Sequence, residues 1–286
     1  MYDKNVWRAL LNDMPMTAML RNIRNMTKAD VLTPMSDESN YVCSRLSDQE
    51  ELAKARIHPL SILAALIAYD GKNFNRDNYY TEDSRSSGYT PVQQVVDALN
   101  DAYYLAFKNV EPTGKRYLLG VDVSGSMTWG NIASIPGMTP NVGAAAMAMA
   151  IARVEKNYHV MGFCHKFVDL GISKSDSLKD VIRKTKQQSF GGTDCSLPML
   201  WALDNNVKVD AFITLTDSET WYGSMHPHEA LKKYNSKMNR NAKNIVVGMV
   251  ANNFTIADKN DVNSLDVAGF DTATPQLIND FVSGKI

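Results

Sequence analysis

The chain has 286 residues, 44% hydrophobic and 21% charged, enough for one large core or two smaller ones, and two domains are expected. Lys and Arg number 30 against 31 Asp and Glu, a formal net charge of −1, so the global balance demands neither nucleic acid nor an anionic membrane as partner. Any basic footprint must be local. Cys43, Cys164 and Cys195 are odd in number and lack C-x-x-C spacing, which fits reduced thiols in a cytosolic setting better than a disulfide framework or a zinc knuckle. The start "MYDKNVWRALLND" carries no leader pattern, and no apolar run approaches the roughly 18 residues needed to span a bilayer. A cytoplasmic protein without a membrane partner is expected.

Residues 1–112 read as a helical segment. In "MPMTAMLRNIRNM", Met16, Met19, Leu20, Ile23 and Met26 recur at helical spacing and predict one buried stripe. "SDQEELAKARIHPLSILAALIAYDG" opens with Ser47 and Glu50 in a capping-box arrangement and breaks at His58-Pro59, after which a strongly apolar helix runs from Pro59 to a stop at Gly71. "KNFNRDNYYTEDSRSSG" is polar and turn-rich, a loop or insertion. From Thr90-Pro91, "VQQVVDALNDAYYLAF" predicts another amphipathic helix.

At "NVEPTGKR" the texture changes, with a boundary placed between residues 112 and 113. In 113–286 the runs "YLLGVDV", "YHVMGFC", "AFITLTD" and "NIVVGMV" are near-continuous apolar stretches, as central strands covered on both faces require. Helical segments "NVGAAAMAMAIARVEK", "DSLKDVIRKTKQ", "CSLPMLWALDN" and "HPHEALKKYNSKM" alternate with them, and "KFVDLG" adds an antiparallel strand. The expected class is α/β, a mostly parallel sheet flanked by helices.

In such sheets, sites form beyond the carboxyl ends of the strands. Asp122, Ser124 and Ser126 follow the first run, spaced two apart, so an extended chain would point all three side chains the same way. "FGGTDCS" lets the backbone turn at Gly191-Gly192 and presents Thr193 and Asp194, and Thr216, Asp217 and Glu219 follow "AFITLTD". These hydroxyls and carboxylates are a hard-oxygen set, suited to Mg²⁺ or Mn²⁺ rather than zinc. Taken alone, D-x-S-x-S also fits a strand end running into a helix cap. Capping does not require the other two segments to converge on it.

Together these segments resemble the metal-ion-dependent adhesion site of von Willebrand factor A domains over roughly residues 115–286. The resemblance implies that the hydroxyls of Ser124, Ser126 and Thr193 approach the metal, that Asp122 and Asp217 act directly or through water, and that an open position takes a carboxylate from an acidic protein ligand. Across the whole chain, "MPMTAMLRNIRNMTKADVL", "ARIHPLSILAAL", "VEPTGKRYLLGVDVSGSM", "GGTDCSLPMLWA", "FTIAD" and "GFDT" resemble the carboxyl-terminal portion of the Ro 60 kDa autoantigen family, which carries the TROVE module. That resemblance implies a ring of HEAT-like repeats closed by an A domain. It also implies binding of small non-coding Y RNAs outside the ring and of single-stranded ends of misfolded RNAs in its hole. Only the last helices of such a ring are present, so the family's principal RNA surfaces would be missing unless another chain supplies them.

The helical part contains one local candidate for RNA. Arg21, Arg24 and Lys28 lie within about 60° of one another around an ideal helix and form a basic stripe, which a solvated helix face explains equally well. His58 reads as a hinge or cap, His226 and His228 as a helix start, Cys164-His165 as a strand end, and Met147, Met149 and Met199 as core. The leading expectation is a non-enzymatic RNA-binding protein with a Mg²⁺-dependent A domain. The competitors are a metal-dependent adhesion module without RNA, and a metal-dependent phosphoesterase or nuclease, which would want a second ion about 3.5–4 Å from the first and a general base. Serine hydrolysis lacks its G-x-S-x-G elbow around Ser124.

Overall fold

The computed structural model describes residues 3–74, 88–186, 192–217, 223–250, 256–258 and 260–286, with the backbone alone for 71–74. The chain divides into two compact units: Met1–Glu111 with Ser134–Met138, and Pro112–Ala133 with Thr139–Ile286.

The first unit is helical: α1 (Lys4–Leu11), α2 (Met16–Lys28), α3 (Asp37–Ser47), α4 (Gln49–Lys54), α5 (Pro59–Phe74) and α6 (Gln93–Leu105), with a 3₁₀ turn at Ala106–Asn109. The predicted stripe of α2 is fully buried, and α2 packs on α5, α5 on α6, and α6 on α3. The start of α4 differs from the Ser47 capping box. Asp48 is the cap, its Oδ1 accepting from the backbone N–H of Glu50 (2.8 Å) and Glu51 (3.0 Å), while the Ser47 hydroxyl donates back to the Cys43 carbonyl (3.0 Å). A carboxylate beside a helix N-terminus outcompetes a neutral hydroxyl already engaged by the preceding helix. His58 caps α5, Nδ1 accepting from Leu60 N–H (3.2 Å), and burial pulls its pKa down to about 4. The helix runs past the expected stop at Gly71, after a kink at Asp70 (φ −128°, ψ 42°). The segment expected to loop at 72–88 falls mostly outside the described residues.

The second unit is the α/β domain. Its strands are β1 (Arg116–Asp122), β2 (Asn157–Phe163), β3 (Phe167–Asp169), β4 (Ala211–Thr216), β5 (Lys243–Gly248) and β6 (Ser264–Ala268). Its helices are α7 (Pro140–Val154), α8 (Leu178–Lys186), α9 (Leu197–Asp204), α10 (Pro227–Met238) and α11 (Thr274–Ser283). Among the described residues one six-stranded sheet forms in the order β3-β2-β1-β4-β5-β6, parallel except for β3 against β2. Every residue of β1 from Tyr117 to Asp122 and all of β4 are buried, and alternating side chains can all be buried only when both faces are covered. α7 packs on β1, β2, β4 and α8, and α9 packs on β1–β3 and α10. A Cβ added at Gly120 would lie 2.9 Å from Pro198 Cγ, so this glycine sets how closely α9 lies on β1. Below α9 and α10, Leu118, Met199, Phe212 and Tyr234 share one core cluster, with the Phe212 and Tyr234 rings edge to face at 4.9 Å.

The entry into β1 hangs on a buried carboxylate at the end of α7. Glu155 accepts from Thr113 N–H (2.7 Å), the Thr113 hydroxyl (2.8 Å) and Gly114 N–H (3.1 Å). Glu155→Gln turns one acceptor into a donor facing an N–H, and is expected to cost about 2 kcal/mol, read as a lower urea midpoint at an unchanged m-value.

Candidate functional site

Reading outward from the middle of the sheet, β2 and β3 lie to one side of β1 and β4, β5 and β6 to the other, so connections leave in opposite directions between β1 and β4. A crevice opens at such a switch point, beyond the carboxyl ends of the two strands. Asp122 is the last residue of β1 and Thr216 the last of β4, with Asp217 next in the chain.

Asp122 is fully buried, and its two oxygens are held differently. Oδ1 accepts from Ser124 N–H (2.8 Å) and Oδ2 from the Thr216 hydroxyl (2.7 Å). Burial raises its pKa; the donors from Ser124 and Thr216 work against the rise, and the charge of Asp217 adds to it. The chain does not stay extended through Ser126, as the every-second-residue spacing suggested. Gly125–Thr128 forms a 3₁₀ turn, and that turn, not strand alternation, brings the Ser124 and Ser126 hydroxyls to 3.0 Å. Asp217 Oδ1 is buried and has no hydrogen-bond partner among the described residues.

Thr193 is half-buried and reaches the same end of the sheet through its neighbour: Asp194 N–H donates to the Cys164 carbonyl (3.0 Å), immediately after β2, and Val123 N–H donates to the Phe163 carbonyl (3.1 Å). Asp194 itself is committed to the turn before α9, its Oδ1 accepting from the Ser196 N–H (3.0 Å) and hydroxyl (2.7 Å). Gly223 backs onto it, since a Cβ there would meet the carboxyl at 2.7 Å. Gly191 and Glu219 lie outside the described residues. Among the described residues no three His, Cys, Asp or Glu side chains gather as a metal site. The gathering at the switch point is of two carboxylates and several hydroxyls.

Those donors suit a hard cation. A buried carboxylate oxygen without a partner is costly, and a second carboxylate whose charge disfavours ionisation of the first adds to the cost. A divalent ion bound by these oxygens would answer both.

In the helical unit, Arg21 and Arg24 are exposed and Lys28 is half-buried on α2. The sequence reading missed their aromatic neighbour. Arg24 Cζ and Lys28 Nζ each lie over the Tyr89 ring, 5.8 Å from its centroid. Tyr89 stacks on Tyr69 (5.6 Å, 24°) and donates its hydroxyl to the Tyr69 carbonyl (2.7 Å). The Tyr69 hydroxyl bonds Thr27 Oγ1 (3.0 Å) and accepts from Val92 N–H (2.8 Å). Burial pushes the Tyr89 phenol up to about 12 despite the nearby Arg24 charge. Among the described residues Arg21, Arg24 and Lys28 make no ion pair.

A mostly parallel sheet with hydroxyls and carboxylates gathered at its switch point, preceded by a helical unit, defines a von Willebrand factor A domain protein with a helical partner module. The chain matches the Ro60 vWA domain family over residues 116–282 and the TROVE domain family over residues 2–95, and it belongs to the Ro60 family. It is 43% identical to the RNA-binding protein RO60 of Deinococcus radiodurans over 98% of this chain and 52% of that one. It is 41% identical to the RNA-binding protein RO60 of Caenorhabditis elegans over 99% of this chain and 42% of that one. The crystal structure of the Deinococcus radiodurans RO (RSR) protein superposes with a TM-score of 0.91 at 43% identity, over all of this chain and 56% of that one. The chain spans about half the length of the curated relatives it matches. No described helix is long and apolar enough to cross a membrane.

Proposed function

We propose that the chain is a non-enzymatic RNA-binding protein of the cytoplasm, whose helical unit contacts small non-coding RNA and whose A domain holds Mg²⁺, or Mn²⁺, for an acidic protein ligand. The RNA reading is carried by α2: three cations on one helix face, none neutralised by a carboxylate among the described residues, in a chain whose relatives are named RNA-binding proteins. In the A domain, Ser124, Ser126 and Thr193 would offer hydroxyls, and Asp122 and Asp217 carboxylates, directly or through water. An ion bound there supplies a positive charge for a partner's carboxylate. The orphaned oxygen of Asp217 supports that reading. If the family's ring closes, further helices come from another chain or from additional sequence.

The triple variant Arg21→Gln/Arg24→Gln/Lys28→Gln is expected to bind a small structured RNA about 30-fold more weakly. Its plot of log affinity against log salt should flatten by about 1.4, at about 0.7 for each of two phosphates lost in an unpaired stretch of that RNA. Asp122→Ala should spare most of that affinity. Unchanged RNA binding in the triple variant removes the stripe from the interface. Absence of RNA binding by the parent chain, with Mg²⁺ binding retained, leaves an adhesion module. Mg²⁺-dependent turnover of RNA or a phosphate ester, lost in Asp122→Ala, would make the protein an enzyme.

A further inference from the structure

An exposed aromatic beside basic residues is ordinarily a stacking platform for a base. Tyr89 is arranged for something else. One face of its ring is stacked on Tyr69 at 5.6 Å, and over the ring lie the guanidinium of Arg24 and the ammonium of Lys28, each 5.8 Å from the centroid. Arg24 and Lys28 are one turn apart on α2, so they reach the ring together, and the ring already carries Tyr69 on one face. The ring is itself fixed: its hydroxyl is anchored on the Tyr69 carbonyl, and the Tyr69 hydroxyl on Thr27 of α2 and Val92 N–H at the start of α6.

We propose that Tyr89 is a positioning residue that holds Arg24 and Lys28 side by side as a clamp for one backbone phosphate of single-stranded RNA, and that this contact reads no base. The inference rests on the RNA-binding reading above. An isolated Lys or Arg on a helix surface samples many rotamers and loses that freedom on binding. Two cations resting on one quadrupolar ring have already lost much of it, while their charges stay unneutralised because a ring attracts a cation without cancelling it. Neither Arg24 nor Lys28 has a carboxylate partner among the described residues. A phosphate presents several oxygens to the forked guanidinium and the ammonium at once. Arg21, further along the same exposed face, would meet a neighbouring phosphate.

The test uses the full chain with oligouridine and oligoadenosine of equal length, with affinities measured across a salt series. Tyr89→Leu is expected to weaken both RNAs equally, roughly tenfold, the loss of one charge-assisted contact, and to flatten the salt slope by about 0.7, one phosphate on a single strand. Tyr89→Phe keeps the ring and its stacking on Tyr69 and loses only the hydroxyl's anchor, so it should lose far less affinity than Tyr89→Leu. In an Arg24→Gln/Lys28→Gln background, where the surface change spares the core, Tyr89→Leu should add no further loss. A larger loss for oligoadenosine than for oligouridine would mean that the ring stacks on a base and would overturn the proposal. So would a Tyr89→Leu loss that persists in the double variant, which is the mark of a merely structural role. Parent binding that Tyr89→Leu leaves unchanged overturns the clamp alone; a parent chain that binds neither RNA overturns the RNA reading and the clamp with it.

Discussion

Asp122→Asn is expected to lower Mg²⁺ affinity about 100-fold or more, with little change in the thermal stability of the metal-free chain. Both halves follow from the same hydrogen bonds. Asparagine is the shape of aspartate; its carbonyl oxygen can still accept from Ser124 N–H, and its amide can donate to the Thr216 hydroxyl, which then turns around. The fold therefore loses no contact, and it sheds a buried charge that Asp217 was already disfavouring. The proposed cation site would lose one of its two carboxylates, leaving Asp217 and neutral hydroxyls to hold a hard divalent ion. Isothermal calorimetry with MgCl₂, paired with thermal melts with and without the ion, separates the two effects. Parent protein should gain melting temperature with Mg²⁺ and Asp122→Asn should not. An Asp122→Asn chain that binds Mg²⁺ like the parent would remove Asp122 from the site, while one that melts far lower without metal would make the residue structural.

The strands were the most legible part of this chain, because a buried parallel strand must be apolar on both faces and little else in a sequence looks like "YLLGV" or "AFITL". β6 was passed over for the opposite reason. Ser264–Ala268 is an edge strand with no fully buried residue, and its short alternating pattern is indistinguishable from a loop. α1 and α3 were likewise faint: α1 buries only Trp7 and Leu11, and α3 only Ser39, Val42 and Leu46. In the candidate site, the residue types and their place at strand ends could be read directly, but not the reason Ser124 and Ser126 meet. A local turn makes that contact, and D-x-S-x-S spacing fits an extended chain just as well. Tyr89 gave no signal at all, since its stacking on Tyr69 and its two cations depend on how α2, α5 and the start of α6 pack. Pairings between residues far apart in the chain are what sequence periodicity does not encode.

The largest effect on stability is expected from such a long-range pairing, at the opposite end of the sheet from the candidate metal site. Asp210, just before β4, accepts from Arg116 Nε (2.8 Å), Nη2 (2.6 Å) and backbone N–H (2.9 Å), residues 94 positions apart, and also from Arg240 Nη2 in the connection from α10 to β5. The backbone joins in: Asp210 N–H donates to the Arg116 carbonyl (2.8 Å) and Lys243 N–H to the Asp210 carbonyl (2.9 Å). One carboxylate therefore registers the starts of β1, β4 and β5. The Arg116 guanidinium, aided by Arg240, holds its pKa down to about 2 from an ordinary 3.8. Asp210→Ala leaves two guanidinium groups facing each other with their shared acceptor gone, and the cluster is only partly exposed at 21–36%. A loss of about 3 kcal/mol is expected, the low end for breaking a buried pair because water reaches the remaining cations. A depressed carboxylate pKa gives stability that is fully present above 3.8 and disappears as pH falls through about 2. The gap between parent and Asp210→Ala in urea unfolding should therefore be constant from neutral pH down to about 4 and close between there and about 2. A gap that stays open across that acid range would mean that Asp210 acts through packing and not through its charge. The proposed Mg²⁺ site lies at the other end of β1, and its affinity should be the same in both proteins wherever both are folded.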